Sequence, residues 1–213
     1  ASDVYKRQLY YDDFDNNGAI DPILCTEEEG KEYPFWSKDD IQSQLAELKS
    51  KYVSYASYAN QTVAEVLTDE KIASAKKATA NLLTSSIIFS QTNDLFEIRP
   101  LPMLAQVAPA FGLLAKDIDA DGNLDLVIGG NLYGTRVKLG RYDASKGEVL
   151  IGDGKGSFKP ISYEKSGLQL SGEVRDIKPI KINDKTYILF AKNNASVEAV
   201  SYTHLRAHET RED

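Results

Sequence analysis

Apolar residues along the chain keep two different periods. Behind Ser37, the residues Ile41, Leu45, Leu48, Tyr52 and Tyr55 recur at intervals of three and four, and Val63, Val66, Leu67, Ile72 and Ala75 continue in that manner. This spacing lays one apolar stripe along a helix, with Ser37 placed as an N-cap. A small α-helical insertion is therefore expected over about 37–80. Its tyrosines, Tyr52, Tyr55 and Tyr58, are expected to pack against the adjoining sheet rather than line a ligand groove. Elsewhere the apolar residues come in short runs stopped by Gly or Asn, such as LVIGGN ending at Asn131 and ILFAKN ending at Asn193. Such runs read as buried strands. The chain is thus expected to be mainly β, with antiparallel sheets of short strands over 81–198.

The strand-like part repeats. FSQTNDLF (Phe89–Phe96) and IGDGKGSF (Ile151–Phe158) end on phenylalanines 62 residues apart, and the runs ending at Asn131 and Asn193 keep the same shift. A unit of this length, built of short strands and Gly/Asn turns, suits the blades of a β-propeller or another β array. The glycine-rich GDGKGSF at 152–158 lacks the spacing and the following helix of a phosphate loop, so it reads as a hairpin turn closed by an inward Phe158.

Two acidic turns carry the candidate chemistry. DIDADGNLD places Asp117, Asp119, Asp121 and Asp125 at alternate positions, with the carbonyl of Asn123 between the last two and Gly122 for the sharp turn. A second copy, DFDNNGAID, offers Asp13, Asp15, Asn17 and Asp21, with the carbonyl of Ala19. A hard cation such as Ca2+ takes about six to eight oxygens, and a short loop can supply them from alternate positions. An EF-hand also needs a glutamate at the twelfth loop position and helices on both sides; here those positions are Leu24 and Ile128, and apolar runs follow. Asp/Asn/Gly clusters also make ordinary turns, but two copies with one internal spacing favour metal loops. The segment one repeat later, PIKINDKTY (Pro179–Tyr187), has lost these carboxylates, so no third site is expected. The first two turns lie 104 residues apart, and the excess over one repeat falls in the helical insertion.

The ends of the chain change what chemistry is open to it. Residues 1–8 (ASDVYKRQ) and Ala199–Leu205 can be read back into codons containing mutually reverse-complementary strings that look like transposon-end sequencing adapters. Residues 1–8 and about 199–213 are therefore treated as translated adapter, non-native and not expected to pack. Both histidines, His204 and His208, lie there. The remaining chain can form no Ser-His-Asp, Cys-His or His-metal site. Net charge is −7 and there is no basic stripe, which argues against nucleic acid as the partner. No apolar run is long enough for a membrane span. The single cysteine, Cys25, reads as a small buried residue on the strand after the first turn, and Glu27–Glu29 as a solvated loop.

The DxDxDGxxD turns, the strand LDLVIGGN and the turn GDGKGSF resemble FG-GAP/VCBS repeat proteins, whose blades form calcium-bound β-propellers like the head of integrin α chains. GKEYPFWSKDDIQSQL, LPMLAQVAPAFG and NLYGTRVKLGRYDASKGEVLIGDGKG more narrowly resemble VCBS proteins of Bacteroidota related to cartilage acidic protein and the ASPIC/UnbV group. The resemblance covers nearly all of residues 9–198. It implies a partial β-propeller with a first blade over 9–36, interrupted by the insertion, and further blades over 81–198. It also implies calcium at the two turns, with Asn17 departing from the usual Asp. The expected function is non-catalytic protein or glycan binding by a secreted, periplasmic or cell-surface protein, alongside the remaining blades of a parent chain. The competing expectation is an accessory region of a larger secreted polysaccharide-active enzyme.

Overall fold

The computed structural model describes residues 7–93 and 95–201. The chain forms two compact units, Ala1–Leu83 and Thr84–Asp213. Strand residues outnumber helical ones, and every strand pairing is antiparallel.

In the first unit, β1 (Arg7–Asp12), β2 (Asp21–Glu28) and β3 (Lys31–Pro34) run as a meander. Five short helices follow: α1 (Lys38–Gln44), α2 (Leu48–Lys51), α3 (Tyr55–Tyr58), α4 (Val63–Val66) and α5 (Asp69–Ser74). The chain then returns as β4 (Lys76–Ala80) to pair with the open edge of β1, giving the order β3-β2-β1-β4. The expected helical segment therefore ends in a strand. Its last five residues satisfy their backbone groups in the β1 ladder rather than in another helical turn.

The apolar stripe packs as its spacing requires. Ile41, Leu45, Leu48, Tyr52, Val63, Val66 and Leu67 are buried together with Tyr10, Phe14, Ile23 and Cys25 from the sheet side. Ser37 caps α1, its side chain accepting from the N–H of Asp40. The stripe does not continue as one rod, because the chain breaks after Gln44. The buried Gln42 then donates its amide to the carbonyls of Leu48 (3.1 Å) and Tyr52 (2.8 Å), satisfying groups that a helix end leaves open. Tyr52 and Tyr58 meet edge to face at 5.4 Å, and their hydroxyls donate to the carbonyls of Glu65 and Trp36. Tyr55 departs from the stripe. It is exposed, and its hydroxyl bonds Asp39. Burial pushes the Cys25 thiol up to about 12, so it behaves as an inert apolar residue.

The second unit opens with a two-stranded hairpin, β5 (Ser86–Ser90) and β6 (Phe96–Pro100). A four-stranded meander follows: β7 (Ala110–Lys116), β8 (Asp125–Gly130), β9 (Glu148–Gly152) and β10 (Phe158–Pro160). After a single helical turn, α6 (Tyr163–Ser166), come β11 (Glu173–Ile182), β12 (Lys185–Asn193) and β13 (Glu198–Ser201). The starts of β5 and β9, and of β6 and β10, are each 62 residues apart, the shift read from the sequence. None of these sheets closes on itself. α6 lies outside the segment expected to hold helices; Gly167 in the left-handed region (φ 68°) stops it after one turn.

β8 is buried at every residue because both its faces are covered. Val127 packs into one cluster with Val174, Ile177 and Phe190, while Leu126 and Ile128 pack into another with Leu150 and Ala105. Two glycines decide the first contact. Gly112 and Gly129 pair across β7 and β8, and a Cβ on either would come within 2.8 Å of Ile177 or Val174. The missing side chains let β11 lie directly on the sheet. Phe158 pairs with Gly152 and packs half-buried on the second cluster, closing the GDGKGSF hairpin as expected.

Arg7 and Gln8 belong to β1, with Gln8 buried, and Ala199, Val200 and Ser201 belong to β13, with Val200 half-buried on the core. These residues, read from the sequence as non-packing, hold ladder positions. The rest of the expected adapter, including His204 and His208, lies outside the described residues.

Candidate functional site

Each acidic turn connects two antiparallel strands at the same place. The turn at 13–21 leads from β1 to β2, with Asp12 opposite Asp21. The turn at 117–125 leads from β7 to β8, with Lys116 opposite Asp125. The two loops share four hydrogen bonds at a shift of 104 residues and differ at the first aspartate, where Asp13 Oδ1 accepts from Asn17 N–H and Asp117 Oδ1 from Ala120 N–H. Gly18 N–H donates to Asp13 Oδ2 (2.8 Å), as Gly122 does to Asp117 Oδ2 (3.0 Å). Asn17 N–H donates to Asp15 Oδ1 and Asp121 N–H to Asp119 Oδ1, both at 3.2 Å. Phe14 N–H donates to Asp21 Oδ2 (3.1 Å), as Ile118 does to Asp125 Oδ2 (2.7 Å). The backbone agrees as well: Asn16 and Ala120 take φ of 58° and 64°, and Gly18 and Gly122 take 87° and 90°. Two sequences that share only their Asp/Gly frame thus fold into one loop.

Three carboxylates converge in each loop. Asp13, Asp15 and Asp21 bring one oxygen apiece within 4.8 Å of one another, and so do Asp117, Asp119 and Asp125. In both triads the last member is buried and the first two are half-buried. The side chains of Asn17 and Asp121 also bond within their loops. Asn17 Oδ1 accepts from Ala19 N–H at 2.8 Å. Asp121 accepts from the N–H and the side-chain amide of Asn123, at 2.7 and 2.9 Å. Asp121 thus lies outside the carboxylate triad of its loop, and the bonds of Ala19 and Asn123 come from their N–H groups, not from the carbonyls expected as ligands.

The electrostatics are those of carboxylates held together against their repulsion. Burial, and then the neighbouring Asp125, Asp121 and Asp117, push the Asp119 carboxyl above its ordinary range. Burial pushes Asp21 up in the same sense, aided by Asp15 and Asp13. Bonds from Asn123 hold Asp121 below its ordinary range. An all-oxygen set of three carboxylates suits a hard divalent cation, and a positive centre would relieve the repulsion.

The loops differ in how firmly the last aspartate is held. Asp125 is fully buried, and its second oxygen accepts from Gly152 N–H at 2.9 Å on β9. Among the described residues, Asp21 has only the bond from Phe14. No local signal in the sequence could have indicated the Gly152 contact, since 27 residues separate the partners.

Comparison with protein-family models, curated proteins and solved structures returns no match. Among the described residues no helix is long and apolar enough to cross a membrane.

Proposed function

We infer that the chain is a calcium-binding segment of FG-GAP/VCBS-type β-propeller blades from an exported or cell-surface protein, and that it acts in protein or glycan binding without catalysis. The observation that carries this reading is the pair of loops. They repeat one hydrogen-bond pattern 104 residues apart, and each gathers three aspartates at a turn between two strands. A turn needed only for chain reversal has no use for a buried carboxylate beside two others, since desolvation and repulsion both act against it.

Calcium fits the donors better than a transition metal. All candidate ligands are oxygens, and among the described residues neither cluster includes a histidine or a cysteine. With three carboxylates and water completing the shell, affinity belongs in the range of extracellular modules, a Kd of about 10⁻⁴–10⁻³ M. This matches a location where calcium is abundant. The meander β7-β8-β9-β10 has the strand order of one blade, and the 62-residue recurrence of hairpins supports an array of them. The location and the binding role rest on the resemblance of these motifs to the family.

Calorimetric titration with calcium tests the reading. Two sites are expected in the parent chain, with one lost in Asp119→Ala and the other in Asp15→Ala. Heats identical in all three proteins would reduce both loops to plain turns.

A further inference from the structure

Asn17 is followed by Gly18, and no other asparagine of the sequence precedes a glycine. The pair lies in the exposed part of the first acidic loop. It also falls at the one position where the two loops differ in charge, since Asn17 stands where the second loop has Asp121.

An Asn-Gly pair has a reaction of its own. The Gly18 nitrogen and the side-chain carbon Cγ of Asn17 can close a five-membered ring, and a Cβ on the second residue would crowd that closure. Gly18 has none, and the space around it is open, with no heavy atom within 4 Å of where a Cβ would stand. The loop also holds the amide for attack. Asn17 Oδ1 accepts from Ala19 N–H at 2.8 Å, so a backbone donor already faces the oxygen on which negative charge gathers as the nitrogen adds to Cγ. Gly18 N–H donates to Asp13 Oδ2 at 2.8 Å, and that bond must open before the nitrogen can attack. Such an opening is local to an exposed loop and does not require the core to unfold.

We propose that Asn17 is a site of spontaneous deamidation, which slowly takes the first acidic loop from three carboxylates to the four of the second. The Gly18 nitrogen bonds to Cγ and gives its proton to a solvent base. The tetrahedral carbon expels the amide nitrogen, which takes a proton and leaves as ammonia. Water then opens the succinimide at one of its two carbonyl carbons. Cleavage of the Cγ–N bond yields an aspartate, and cleavage of the backbone C–N bond yields an isoaspartate whose main chain runs through Cβ. In sum one water is taken up and one ammonia released, without oxidation or reduction.

The two products differ in what they do to the loop. The aspartate matches the charge pattern of the second loop. The isoaspartate adds a backbone carbon between positions 17 and 18, whose N–H groups both donate to Asp13, so these bonds lose their register. One product should therefore tighten cation binding and the other weaken it, a consequence that rests on the calcium reading above; the deamidation itself does not.

The test is incubation of the full chain for days in chelator at mildly alkaline pH, below its melting temperature, followed by anion-exchange chromatography and peptide mapping by mass spectrometry. An acidic form should accumulate, modified at position 17 ahead of every other asparagine, and an isoaspartyl methyltransferase should label part of it. Asn17→Gln keeps a neutral amide but would have to close a six-membered ring, and it should form almost none of the acidic product. Modification at another asparagine first, an acidic form that persists in Asn17→Gln, or an acidic form that appears only above the melting temperature would each overturn the proposal. An acidic form mapped to position 17 supports it even where the calcium titration of the separated aspartate product matches the parent's, a result that would count against the calcium reading alone.

Discussion

Asp125 and Gly152 are joined by a 2.9 Å hydrogen bond from the Gly152 backbone to a carboxylate that has no exposure to solvent. The same carboxylate accepts from Ile118 at 2.7 Å, so one side chain ties the 117–125 loop to itself and to the neighbouring strand β9. Asp125→Ala would leave two buried N–H groups without acceptors. The expected loss is about 2–5 kcal/mol of folding stability, measured by denaturant melts in chelator so that metal contributes nothing. Asp125→Asn keeps an acceptor and should lose less. Equal stability of all three proteins would show that the bond is not structural.

The second loop should fill with calcium before the first. Its last aspartate is fixed by two backbone bonds against one, and Asp121 adds a negative charge where the first loop has the neutral Asn17. Asn17→Asp should tighten the first site and narrow the gap between the two Kd values. At about 100 Kd of calcium, each site stabilises the folded chain by about 2.7 kcal/mol, visible as a rise in melting temperature. A first loop that fills earlier would contradict the rigidity argument.

Glu148 gives the second unit a pH dependence. It is buried, its Oε2 accepts from the Ser145 hydroxyl at 3.0 Å, and its other oxygen has no partner. Burial raises its pKa above the ordinary carboxylate value, and the Ser145 bond opposes the rise only in part. Tyr163 faces it and is itself pushed upward by burial and by the Glu148 charge. A group with a raised folded pKa contributes stability fully below its unfolded pKa, and that contribution is lost as pH rises through the folded value. The stability difference between the parent and Glu148→Gln should therefore favour the parent most at acid pH and shrink towards neutrality. A difference independent of pH would show that the carboxyl titrates normally.

Ala120 holds φ 64° with a Cβ that this region disfavours. Ala120→Gly should stabilise the chain by about 0.5–1 kcal/mol, while Asn16→Ala at the matching position should destabilise it. Thermal melts of the two variants decide the matter, and a destabilised Ala120→Gly would show that the loop needs the stiffer residue.

A chain trimmed to 9–198 should melt about 4 °C or more below one trimmed to 7–201. The residues at issue pair within β1 and β13, Gln8 opposite Cys25 and Thr79, and Val200 opposite Ile188. Equal melting temperatures would restore the view that they contribute nothing.

The sequence by itself determined whatever depends on local period and turn chemistry. Spacing alone placed the buried residues of the helical segment from Ile41 to Leu67, the Ser37 cap and the GDGKGSF hairpin, because each rests on contacts a few residues apart. The Asp/Gly frame likewise located both acidic loops, since a carboxylate can reach a backbone N–H two to five residues on without help from the rest of the chain. Tertiary structure decided the rest. It broke the helical stripe where Gln42 could satisfy open carbonyls, and it turned 76–80 into a strand because β1 offered an unpaired edge. It made Gly112 and Gly129 a seat for Val174 and Ile177, where the sequence showed Gly129 only as a stop signal. It also brought three carboxylates of each turn together and left Asp121 outside its triad, bonded to Asn123. The distances that set this depend on where the strands hold the chain, not on the order of residues along it.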